Sequence, residues 1–356
     1  MRVGVWADFI PPEQPLSGPG GKSYLHSDVI KSVFEKGPEQ FWIFEPAEPV
    51  PTTAPVIVFN HGWGGSNPRI YGAWIEHIVR RGNIVIFPTY QEPGKFRYHT
   101  EKVTGNAIRA VKKAIGILNK QAESGDHPKP DLEKFAIVGH SAGGQITANM
   151  AALAAESGLP IPKAIMPVQP GKSWSKIPKI QLRLEDMAKI HPGTLLLTVT
   201  GDQDWIARDV DAKRIFYEST QVPLTDKDFL IQVSDDHGYP PLQASHFAPT
   251  APNSKYDSGV KLKGNFLRWL IRLKEGGGTK RIHRSKENDY PDLESDELKL
   301  NALDYYGLWK LFDALCDAAF YGKNRQAALG GTAEQTFMGY WSDGTPVKPM
   351  ISTDTP

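Results

Sequence analysis

The sequence predicts an α/β fold, a doubly wound and mostly parallel sheet with helices on both faces, followed by a C-terminal helical extension. Three observations carry this. Short apolar runs rich in β-branched residues recur along the chain, stretches with helical spacing lie between them, and the runs are continuous rather than alternating. Continuous apolar strands are the mark of a sheet covered on both sides. In order, strands are expected at 41–44, 56–60 (Val56, Ile57, Val58, Phe59), 84–87 (Ile84, Val85, Ile86, Phe87), 135–138, 164–168, 195–200 and 229–233. Helical patterns at 71–81, 101–120, 145–157 and 208–219 supply the crossovers. A closing helix is expected at 259–273, where Leu262, Phe266, Leu270 and Leu273 share one face.

The expected organisation is an N-terminal segment leading into the sheet (1–39), one α/β unit (40–275), a charged linker after Gly276-Gly277-Gly278 (276–300) and a C-terminal helical extension (301–356). In that extension Leu308, Leu311, Phe312, Leu315 and Ala319 form an apolar helical face, with Lys310, Asp313 and Asp317 opposite it as a solvated one.

Composition excludes several classes of function. With 41 basic and 40 acidic residues among 356, the net charge of +1 leaves no electrostatic footprint for nucleic acid or anionic membrane. The basic cluster at 280–286 is followed at once by acids and reads as solvated linker. No apolar run approaches the ~18 residues of a membrane span, and 1–19 lacks a basic-then-apolar signal pattern. Cytoplasmic location is therefore the default expectation, with secretion if a leader was trimmed. A single cysteine, Cys316, is expected in the core and rules out an internal disulfide and most cysteine metal sites. Oligomeric state is not legible.

The chemistry is concentrated at Lys134-Phe135-Ala136-Ile137-Val138-Gly139-His140-Ser141-Ala142-Gly143-Gly144. A G-x-S-x-G between strand and helix places the serine on a sharp turn with its hydroxyl above the sheet edge, and glycines flank it where a β-carbon would strike the neighbouring strand or helix. A serine nucleophile needs a base, an orienting carboxylate and donors for the oxyanion, in the chain order Ser, acid, His. Past the strand at 195–200 stand Asp202 and Asp204; Asp204 is the preferred acid because it lies further beyond the strand end, with Asp202 better placed for turn amides. Two histidines follow the last strand, and position alone favours His237 over His246. The remaining histidines, His26, His77, His99, His127, His191 and His283, read as surface residues or lie away from the sheet's carboxyl edge. The loop His61-Gly62-Trp63-Gly64-Gly65 after the strand at 56–60 offers inward-turned amides, so Trp63 and Ala142 are the expected oxyanion donors.

Rival readings fail on spacing. A dinucleotide fingerprint would need glycine where Asn67 stands, and the Gly-Lys-Ser sequences at 21–23 and 171–173 have Leu16 and Met166 where a phosphate loop has glycine. No H-E-x-x-H or similar metal spacing occurs, so a mechanism without cofactor or metal is expected.

With these motifs in place the chain resembles the α/β-hydrolase superfamily, and from about 55 to 275 it is similar to bacterial cutinases, polyester hydrolases and platelet-activating-factor acetylhydrolases. Ser245-His246-Phe247-Ala248-Pro249, Asp204-Trp205-Ile206-Ala207 and Lys163-Ala164-Ile165-Met166-Pro167-Val168-Gln169-Pro170 carry the closer likeness. The resemblance implies a serine esterase acting on small or polymeric carboxylic esters, favours His246 as the base, and makes Trp63, Trp174 and Trp205 candidate substrate walls, with Tyr90 and Phe247 as further ones. It departs where those cutinases place a tryptophan just after the proline: here Gly171 follows, and Trp174 comes three residues later. The loop 238–243 is also extra, and the C-terminal disulfide of that group cannot form. A lipase, thioesterase or amidase would use the same triad, and a non-catalytic binder would share the fold.

Overall fold

The structure is a computed structural model that describes residues 9–92, 100–176, 181–260 and 300–356. The closing helix expected at 259–273 and the linker at 276–300 fall, but for their end residues, outside the described residues, as do the basic cluster, His99 and His283.

Nine strands form one sheet: β1 (Asp28–Phe34), β2 (Phe41–Ala47), β3 (Thr53–Asn60), β4 (Ile84–Pro88), β5 (Lys129–His140), β6 (Ala164–Val168), β7 (Leu195–Gly201), β8 (Lys227–Gln232) and β9 (Ile351–Thr353). Their order is β1-β2-β4-β3-β5-β6-β7-β8-β9. The run from β4 to β8 is parallel, while β1–β2, β2–β4 and β8–β9 are antiparallel. All seven predicted strands are present, several longer than their apolar cores. β1 and β9 are additional.

Period-two alternation within each strand feeds two separate cores. Val56 and Val58 of β3 and Ile84 and Ile86 of β4 pack with α2 (Val103–Gln121) and α3 (Ala142–Ala152). Ile57, Phe59, Val85 and Phe87, from the same strands, pack on the other face with α1 (Gly72–Arg80) and the C-terminal helix Lys310–Tyr321. The predicted helix at 145–157 breaks at Leu153, and a short α4 (Ala154–Ser157) follows; α5 (Val210–Glu218) flanks β7 and β8.

The segments outside the expected α/β unit are built into it. A seven-residue π-helix, Leu303–Trp309, runs into Lys310–Tyr321, and Leu308, Leu311 and Leu315 are wholly buried against the sheet. The expectation of a solvated opposite face is corrected here, since Lys310 and Asp313 are buried. The Lys310 ammonium donates to the carbonyls of Glu334, Gln335 and Phe337 at 2.6–3.0 Å. Asp313 gathers three partners: the Gly20 amide at 2.7 Å, His77 at 2.9 Å and Arg81 at 3.1 Å. His77, expected at the surface, is therefore buried, its ring stacked on Trp309, and His26 is buried as well. Cys316 is a free, buried cysteine.

Truncating Leu315 to alanine should cost about 2–5 kcal/mol, the range for a fully buried leucine. Urea unfolding measures this; a change near zero would mean that the C-terminal helix is an appendage and not a wall of the core.

Candidate active site

Four strand ends converge on Ser141. At the end of β5 the chain turns so tightly that Ser141 takes φ 58° and ψ −121°, a region sterically unfavourable for a residue with a side chain. The flanking glycines make this geometry possible. A β-carbon on Gly143 would land on the carbonyls of Asn60 and His61, and one on Gly139 would strike the first turn of α3. The turn is locked by the Ser141 amide donating to Val168 (2.9 Å) and by the Ser141 carbonyl accepting from Gly144 (2.9 Å).

His246 Nε2 lies 2.9 Å from Ser141 Oγ, and His246 Nδ1 lies 2.8 Å from Asp204 Oδ2. All three residues are nearly closed to solvent, at 9 % exposure or less. The second Asp204 oxygen accepts from the amides of Ile206 and Ala207, both at 2.9 Å, which fixes the carboxylate plane. Asp202 has the other task weighed for it: it accepts from the Ser234 amide at 2.9 Å and from the Ser234 hydroxyl, joining the ends of β7 and β8.

Of the two candidate histidines, His246 is the one hydrogen-bonded to Ser141, and His237 has other partners. Its Nε2 bonds Asp343 at 2.9 Å and its ring stacks on Phe9 at 5.0 Å, so it fastens terminal segments to the loop after β8. The extra loop, 238–243, lies between the two: Asp235 and Leu242 exchange backbone hydrogen bonds, and the chain returns to the sheet's carboxyl edge only at Ala244. There the Ala244 carbonyl accepts from Gln203 N (3.2 Å), and the Ser245 carbonyl accepts from Gln169 Nε2 (2.9 Å), presenting His246 to Ser141.

The loop after β3 packs on Ser141, since a β-carbon on Gly62 would come within 3.2 Å of the Ser141 β-carbon. The Gly62 amide donates to Tyr71 Oη at 2.9 Å, and that hydroxyl lies 2.9 Å from His140 Nδ1. Burial pushes the Tyr71 phenol up and pulls the His140 imidazole well below its ordinary value, helped there by the adjacent His246 ring at 4.8 Å. A neutral His140 accepts the Tyr71 proton and leaves the Tyr71 oxygen to receive Gly62. His61 is buried between the carbonyls of Gly62 (2.6 Å) and Thr89 (2.9 Å), with its ring stacked on Tyr90; the two carbonyls favour the charged ring, but desolvation outweighs them and lowers it to about 4. Tyr71 carried no motif and is found only through what it touches, while Tyr90, a candidate substrate wall from sequence, is instead packed on His61. Ala142 opens α3, where the helix's own ladder offers its amide no acceptor.

The aromatic candidates divide. Trp63 is partly buried, its ring edge-on to Tyr90 at 6.2 Å and packed beside the α2–α3 core. Trp174 and Trp205 are exposed, and Phe247 and Tyr90 are buried. No group of three or more metal-ligating side chains occurs among the described residues, and no described helix is long and apolar enough to cross a membrane.

Residues 20–183, somewhat under half the chain, match the family model for chlorophyllase. That match takes in Ser141 and the loop after β3 and ends before Asp204 and His246. No curated protein matches the chain. Among solved structures it is similar to a mutant of the esterase rPPE, at 15% identity and a TM-score of 0.41, over 58% of this chain and 72% of that one.

The lowered His61 has a signed consequence. As pH falls through 6.5 the unfolded imidazole takes up a proton, while the folded one stays neutral to about 4. Stability is thus complete above 6.5 and declines below it, by roughly 3 kcal/mol from this group once pH 4 is passed. NMR of the ring should show neutral His61 at pH 5, and urea midpoints should drop from pH 7 to 5. A protonated His61 at pH 5 contradicts the assignment.

Proposed function

We propose that this mostly parallel sheet with helices on both faces is an α/β-hydrolase fold and that the chain is a serine hydrolase of carboxylic esters, with Ser141 as nucleophile, His246 as base and Asp204 as orienting carboxylate. The continuous hydrogen-bond chain from Ser141 Oγ through both His246 nitrogens to Asp204 carries this reading. The chlorophyllase family match, an esterase-type hydrolase family, supports it over the N-terminal half.

In this reading His246 Nε2 removes the Ser141 proton as the oxygen attacks the ester carbonyl. The amides of Trp63 and Ala142 receive the oxyanion, each such donor contributing about 3 kcal/mol to the transition state. The imidazolium, stabilised by Asp204, passes its proton to the departing alcohol. Water then attacks the acyl-enzyme with the same imidazole as base. Tyr71 acts at one remove, by fixing the Gly62 peptide that leads into the donor at Trp63. Trp205, next to the acid and exposed, is assigned to substrate contact together with Trp174.

A fluorophosphonate should add to Ser141 and fail to label Ser141→Ala. His246→Ala should lower kcat/KM for a nitrophenyl ester by about 10⁴-fold or more, as loss of a triad member does, whereas His237→Ala should retain turnover near the parent level. The reverse ranking, or labelling at another residue, overturns the assignment.

A further inference from the structure

The loops that follow β6 and β7 touch each other beside the nucleophile. The Gly171 amide approaches the Ser141 carbonyl at 3.4 Å, and a β-carbon on Gly171 would come within 2.9 Å of the Ala207 β-carbon. Ala207 is itself bonded to Asp204. From this junction each loop projects a cation toward one indole. Lys172 Nζ lies 5.5 Å and Arg208 Cζ 5.7 Å from the centre of the Trp174 ring, which is 39% exposed. Trp174 stands three residues beyond Gly171, a reach of at most about 10 Å along the backbone.

Two features mark this as a built arrangement. The loop is anchored from below: buried Asp211 of α5 accepts from the Ser173 amide at 2.7 Å, from the Ser173 hydroxyl and from Gln145 Nε2 of α3 at 3.2 Å. Arg208 is also held at φ 62°, the left-handed region that non-glycine residues rarely adopt. Elsewhere the surface cations of this protein tend to be neutralised; Lys213, for example, pairs with Asp209 and Arg214 with Glu218. Among the described residues no carboxylate lies within ion-pair distance of Lys172 or Arg208. Both cations lie over the indole as cation–π partners and have no carboxylate counter-ion among the described residues, so they suit an anion whose planar ring packs against the part of the indole they leave exposed.

We propose that Lys172, Trp174 and Arg208 form a platform for an arene bearing a carboxylate, so that the site prefers negatively charged aryl esters. This rests on the hydrolase reading, and the test separates the two. Hydrolysis of 4-acetoxybenzoate is compared with that of its neutral methyl ester, each kcat/KM divided by the rate with hydroxide. The wild type should favour the anion by roughly fivefold to tenfold at low salt, the scale of two exposed charge contacts, and less as salt rises. Lys172→Gln/Arg208→Gln should bring the ratio towards one, and Lys172→Glu/Arg208→Glu should invert it. Absence of preference in the wild type, or an unaltered ratio in both double variants, overturns the proposal. Binding of 4-hydroxybenzoate to Ser141→Ala, read by tryptophan fluorescence, tests the platform without turnover. Binding that is lost in the double variants supports it even if wild-type protein neither labels with fluorophosphonate nor cleaves either ester, a result that would sink the hydrolase reading alone. No binding overturns the platform even if neutral esters are cleaved.

Discussion

The close approach of α3 to the end of β3 is the constraint on which the site depends. Only hydrogen at position 143 lets the first turn of α3 rest on the Asn60 and His61 carbonyls. That contact does two things at once. It forces the sharp bend that raises Ser141, and it brings the Gly62–Gly65 loop against the same residue. Asn60 reinforces the joint from its side chain, donating to Thr147 Oγ1 of α3 at 3.1 Å. Ser141 and the loop after β3 are therefore positioned by one packing event rather than by two independent ones.

Asp204 and His246 are held by a different device, polar side chains that reach across strand ends. Gln169 holds the Ser245 carbonyl, Asp202 ties the exit of β7 to Ser234, and Ser234 in turn accepts from the Ala244 amide. Each bond fixes a loop and not the Asp204 or His246 side chain itself. The 2.8 and 2.9 Å contacts of His246 are the sum of these restraints. Rigid supports of this kind let a hydrolytic geometry be held without substrate.

Sequence made the central sheet legible because strands buried on both faces must be apolar at every position, a pattern that needs no partner to be recognised. β1 escaped it: at the edge, with a burial pattern that alternates and leaves Val33 half exposed, it has no continuous run. β9 is three residues long, and its pairing with β8 is a tertiary fact with no local signal. The solvated reading of Lys310 and Asp313 went astray for a related reason. Helical periodicity reports one apolar face but cannot see a second surface, here the N-terminal segment and the 333–337 region, arriving to bury the polar one. At the site, Ser141, Asp204 and the glycine loop were marked by motif. The ambiguity at histidine came from distance along the chain, which an inserted loop makes a poor guide to distance in space.

Asp313 joins Gly20, 293 positions earlier in the chain, to a helix near the other end, and the Ile10 amide similarly reaches Ser342. The two contacts close loops of 293 and 332 positions. Residues 18–26 also bond α1, through Arg80, Arg81 and His77, so this stretch has a partner in α1 before residues 301–356 close over it. Entropy of closing such large loops is borne late, when most of the interior already exists. Until the 303–321 helices dock, the α1 face of the sheet stays unsealed, with α1 in place and its neighbour missing.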